Sequence, residues 1–145
     1  MNYSPALIQL PLVKESAGNK ITTPEDIYAT CGDLADLAQE SFHVLTMDAK
    51  NHLISRNMIT LGLVSASLVH PREVFRQSII DGASGIVLIH NHPTGDPTPS
   101  AEDIRVTQQL CKAGKILDIN ILDHVIIGRG KTPFCSLRES GIVNF

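Results

Sequence analysis

At 145 residues the chain has room for one domain with a sizeable core, and not for two enzyme domains side by side. Hydrophobic residues make up 43% and charged residues 19%, which excludes a disordered, collagen-like or coiled-coil chain. The net charge of −3 gives no uniform positive field for neutralising phosphates, and no apolar run approaches the roughly 20 residues of a membrane helix.

Residues 1–20 mix Pro, Ser, Gly and Lys without periodicity and read as a partly ordered arm, with one domain expected over 21–145. Met1 to Leu12 has no basic stretch, and Pro5 and Pro11 interrupt it, so a signal peptide is not expected and the expected compartment is the cytoplasm. Thr23-Pro24-Glu25-Asp26 is a helix start, with a capping hydroxyl, Pro at the first helical position and acids in the first turn. The spacing of Ile27, Leu34 and Ala38 extends that helix to about Gln39. Phe42–Met47 is apolar on both faces, as in a buried strand, and Asp48–Asn51 turns it into a second strand at about His52–Thr60.

Leu61–Val69 is strand-like in composition, and Pro71 opens a helix that Gly82 or Gly85 ends. Ile86–Ile89 reads as a central strand feeding a loop rich in proline. A helix from Ala101 to about Lys115 and a strand at Ile119–Ile127 follow. The interleaving predicts an α/β or α+β fold with a mixed sheet. Three widely spaced cysteines, Cys31, Cys111 and Cys135, suit neither a disulfide framework nor a zinc knuckle and are expected to be reduced packing residues.

The chemistry concentrates in His90-Asn91-His92-Pro93-Thr94-Gly95-Asp96-Pro97-Thr98-Pro99-Ser100-Ala101-Glu102-Asp103. Two residues apart at a strand exit, His90 and His92 project from one face, and two imidazoles then converge on one point. Ser100 reads as a helix N-cap, which puts Asp103 one turn in, where its carboxylate points back toward the histidines as the third ligand of a zinc site with one open position. Pro93, Pro97 and Pro99 restrict the loop and lower the entropy lost on assembling the site. His-Glu-x-x-His is absent, as is the deaminase pattern of His-x-Glu with a later Pro-Cys-x-x-Cys. The contiguous letters His-Asn-His carry no nuclease meaning, since HNH nucleases use those residues far apart.

His-x-His, seven residues, then Ser-x-x-Asp is the JAMM motif, and with Pro71-Arg72-Glu73, Pro99-Ser100 and Asp123-His124 the chain resembles the RadC family within the JAMM/MPN superfamily. The resemblance covers about Ile21 to Val143. It implies a curved mixed sheet flanked by helices, of JAMM/MPN, cytidine-deaminase-like architecture, and a zinc metallopeptidase acting on a peptide or protein substrate. It assigns Zn²⁺ to His90, His92 and Asp103, general acid/base work to Glu40, and oxyanion binding to Ser100. Glu73 and Glu102 compete with Glu40, and Asp123-His124 reads as a supporting or packing pair.

The resemblance carries a second reading of a different class, a DNA-repair accessory domain that hydrolyses nothing. Longer members have a helix-hairpin-helix segment ahead of this domain, which is not expected here. Arg72, Arg76, Arg129, Lys131 and Arg138 would supply a basic face for such a role, although scattered solvation is expected of them. Substrate identity and oligomeric state are not legible.

Overall fold

A computed structural model describes residues 18–145. In chain order it contains α1 (Pro24–Cys31), a 3₁₀ turn (Gly32–Asp36), β1 (Ser41–Met47), β2 (Leu53–Leu61), α2 (Pro71–Asp81), β3 (Gly85–Asn91), α3 (Ala101–Leu117), β4 (Asn120–Ile127) and β5 (Phe134–Ser136). The strands form one mixed sheet in the order β2-β1-β3-β4-β5, in which only β3 and β4 run parallel. A parallel pair needs a long crossover, and α3 supplies it. The α/β expectation is met.

Alternation along the strands splits the core in two. Phe42, Val44, Ile86 and Leu88 face a cluster that takes in Val74, Phe75, Val106 and Leu110 of α2 and α3. Leu45, Met47, Val87 and Ile89 face the other way, onto Ile27, Cys31 and Leu34 of α1 and the 3₁₀ turn. Full burial of one such side chain is worth about 1.5–3 kcal/mol. Helix propensities differ by less than about 1 kcal/mol per residue for anything but proline, so packing on both faces of the sheet sets the fold.

Two expectations need correcting. The first helix does not reach Gln39: Cys31 leaves helical geometry at φ −121° and ψ 7°, and a 3₁₀ turn carries Leu34 and Ala35 into the core instead. Leu61–Val69 is not a strand beyond Leu61. Gly62 has φ +118°, a conformation that only glycine adopts cheaply, and it turns the chain off the sheet. The helix after Pro71 ends as expected, at Gly82 in the left-handed conformation. Strand β5, short and edge-paired, is an element the sequence pattern missed.

Of the arm, residues 1–17 lie outside the described residues, while Lys20 bridges to His52 beside the β1–β2 turn. Cys31 and Cys111 are buried free thiols and Cys135 a half-buried one, as expected of packing residues. Burial pushes the Cys31 thiol up to about 11. No helix among the described residues is long and apolar enough to cross a membrane.

Candidate metal centre

The register of the sheet brings the expected residues together. Phe42 of β1 pairs with His90 of β3, so Glu40, just before β1, arrives at the end of β3 where the histidines leave the sheet. The Glu40 carbonyl accepts from Gly62 N–H at 2.7 Å, and its side-chain Oε2 accepts from Val64 N–H at 3.2 Å. The other carboxylate oxygen, Oε1, stands 3.6 Å from His90 Nε2. One donor atom from each of Glu40, His90 and His92 lies within 4.8 Å of the others, a grouping able to hold a metal ion.

Asp103 closes the cluster from α3. Ser100 and Asp103 form a reciprocal capping box: the Ser100 hydroxyl oxygen accepts from Asp103 N–H at 3.1 Å, and Asp103 Oδ2 accepts from Ser100 N–H at 2.8 Å. The same Oδ2 lies 3.1 Å from His92 Nε2, and Oδ1 lies 3.3 Å from His90 Nδ1. Ser100 is exposed.

The donor atoms can be assigned. A carbonyl only accepts, so the 2.8 Å contact of His92 Nδ1 with Asp96 O puts a proton on Nδ1, leaving Nε2 as the electron-pair donor. Both ring nitrogens of His90, which is 1% exposed, are buried without a hydrogen bond. Buried polar atoms are nearly always partnered, and orphaned imidazole nitrogens between two carboxylates fit a metal ion.

Burial holds His90 below the usual imidazole pKa, against the pull of Asp103. Burial also opposes charge on His92, but the Asp103 carboxylate and the Asp96 carbonyl outweigh it and raise its pKa. For Asp103 burial favours the neutral form, yet His92, His90 and the Ser100 backbone carry it down to about 2. Asp103 and His90 are thus held as a carboxylate and a neutral imidazole, the ligand forms a divalent cation requires, while a cation at His92 would take the place of a proton on Nε2.

The competing glutamates are placed elsewhere. Glu73 is exposed on α2, and Glu102 pairs with Arg105 while its Oε2 accepts from Ala66 N–H at 3.3 Å, which makes it an anchor for the 62–70 loop. His124 is fully buried, its ring centroid 6.2 Å from that of His90. Its Nδ1 contacts Thr107 Oγ1 at 2.6 Å, and that hydroxyl donates its single proton to the Asp103 carbonyl, so His124 donates from Nδ1. Thr107 was missed in the sequence, although its place one turn after Asp103 on the same helix face was a usable signal. Of the five basic residues, Arg72 and Arg76 lie on α2, whereas Arg138 lines a groove with α1 on the opposite side of the sheet.

A family model described as the RadC-like JAB domain matches residues 21–142. The chain belongs to this family. A UPF0758 protein of Listeria monocytogenes is 46% identical over 134 residues, covering 92% of this chain and 59% of the relative. One of Caldanaerobacter subterraneus is 44% identical over 138 residues, 94% of this chain and 58% of the relative. One of Methanosarcina acetivorans is 42% identical over 130 residues, 89% of this chain and 56% of the relative. This RadC-like JAB domain thus spans somewhat over half the length of the curated relatives it matches.

Proposed function

We propose that this domain is a zinc-dependent metallohydrolase that cleaves a peptide or isopeptide bond in a peptide or protein substrate, working in the cytoplasm. The observation that carries the proposal is the pair of orphaned, buried nitrogens of His90 set between the carboxylates of Glu40 and Asp103. His90, His92 and Asp103 are the proposed ligands. When bound, zinc lowers the pKa of water it holds to about 7 and polarises a carbonyl oxygen.

Glu40 is proposed as the proton carrier, its Oε1 open toward the imidazoles while Val64 N–H holds the other oxygen. Moving a proton from nucleophile to leaving amine is work for a carboxylate within hydrogen-bond reach of both. Ser100 accepts a hydrogen bond through its hydroxyl oxygen and so retains its own proton to donate to a developing oxyanion.

Metal analysis of protein purified without chelator tests the reading, with about one Zn²⁺ per chain expected. Glu40→Gln separates base from ligand. It should keep zinc and lose turnover on any substrate found; loss of zinc with the variant would make Glu40 a ligand, and a wild-type protein with no affinity for zinc would end the proposal.

A further inference from the structure

We infer that Asn91, the residue between the two histidines, is the positioning residue that fixes Glu40 against them. The inference rests on the proposed role of Glu40 at a metal, but its geometry belongs to the protein alone. Main-chain pairing between β1 and β3 ends at Phe42 and His90. One residue further on, the Asn91 carboxamide replaces the main chain: Oδ1 accepts from Ser41 N–H at 2.7 Å and Nδ2 donates to Gln39 O at 2.9 Å. Those two atoms bracket Glu40.

The orientation of the amide is fixed, because Ser41 N–H can only donate and Gln39 C=O can only accept. Oδ1 also accepts the Ser41 hydroxyl proton at 2.8 Å, and Ser41 Oγ in turn accepts from His43 Nε2 at 2.8 Å. Asn91 and Ser41 are fully buried, in a medium where each such bond is costly to lose. Strand alternation sends His90 to the α2–α3 face and Asn91 to the α1 face. One tripeptide thus carries metal donors on one side and, on the other, the grip on the residue that must face them.

No other side chain fits this demand well. Asp lacks the donor for Gln39, Leu lacks both groups, and Gln is a methylene too long for a filled site. Glu40 has no β3 main chain opposite it, and a catalytic carboxylate must be held to within about 0.5 Å. The carboxamide extends the ladder by the one residue that matters.

Asn91→Ala, with Asn91→Leu as a second variant should Ala fail to fold, tests the inference, because both remove the acceptor of the Ser41 amide as well as the donor to Gln39. In metal-free protein the Ser41 amide should exchange its hydrogen at least about tenfold faster, while Leu88 in the middle of β3 stays within about threefold. In protein labelled with ¹³C at glutamate carboxyls, the Glu40 resonance, identified by its loss in Glu40→Gln, should move on zinc addition. That movement should fall by about half or more in the variant, with zinc affinity lowered by no more than the 10–100-fold of an outer-shell residue.

Undiminished movement of the Glu40 signal, or acceleration at Ser41 and Leu88 together, overturns the inference, the latter because it marks a general loss of stability. A wild-type protein that shows no zinc response sinks the metallohydrolase reading instead, and the metal-free exchange experiment then decides the role of Asn91 by itself.

Discussion

Two carboxylates, Asp103 and Asp123, are buried to a similar degree in the same small domain, and they are held in opposite ways. Asp123 Oδ1 accepts from the backbone N–H groups of His124 at 2.7 Å and Arg138 at 3.2 Å, and Oδ2 accepts the Ser136 hydroxyl at 2.6 Å. Every oxygen is used within the fold, stitching β4 to β5 and to the turn after it. Asp103 accepts a single backbone N–H, that of Ser100, and turns both oxygens toward imidazoles, one of which has no hydrogen bond at either nitrogen. A polar knot that closes on itself stabilises; one that leaves lone pairs open is kept for something to bind.

A crossed pair of variants breaks or sharpens that contrast most strongly. His90→Leu should abolish stoichiometric zinc while the metal-free protein holds its unfolding free energy, or gains about 1 kcal/mol as an unpartnered buried polar group is removed. Asp123→Ala should do the reverse. Three donors lose their acceptor at about 1–3 kcal/mol each, so urea unfolding should show a loss of several kcal/mol, with zinc affinity in the folded fraction unchanged. If both variants lose zinc alike, the two sites are not separable.

A second contrast concerns charge within the clamp network. Burial lowers the His43 pKa from 6.5 to about 4. With the folded value depressed, the unfolded chain takes up the proton first. The neutral ring contributes its stability above pH 6.5, and that contribution is lost as pH falls from 6.5 through about 4. Replacement by Gln, which still donates toward Ser41, should flatten this window by up to about 3 kcal/mol, read as unfolding free energy against pH.

The smallest effect separates two duties of one hydroxyl. Ser100→Ala should cost about 0.5–2 kcal/mol by removing the cap, whereas Ser100→Asp caps equally well. Without a hydroxyl proton the Asp variant should lose about 10²–10³ in turnover on a substrate once one is in hand. Full activity in stable, zinc-loaded Ser100→Asp would reduce Ser100 to a cap.

Much of this was legible in the sequence, because it was local. The run Ile86–Ile89, the N-cap at Ser100 and the spacing of His90, His92 and Asp103 all lie in one short stretch of sequence, and the structure builds β3, the capping box and the cluster as those patterns require. Misreadings arose where a distant partner decided. Leu61–Val69 has strand composition, but Gly62 turns it away, and the N–H groups of Val64 and Ala66 go to the carboxylates of Glu40 and Glu102, 24 and 36 residues away in sequence. Asn91 gave no signal at all, since its partners lie about 50 residues upstream and nothing in a periodicity records a side chain completing a ladder.

The parallel pairing of β3 with β4 has a kinetic consequence. Glu40, the two histidines and Asp103 reach one another only after β1 has paired with β3 and the crossover through α3 has closed, and such non-local contacts form late in folding. The cluster is then expected to form after the transition state. Zinc should lengthen the lifetime of the folded domain by slowing its unfolding limb, and leave the rate at which the chain first folds unchanged.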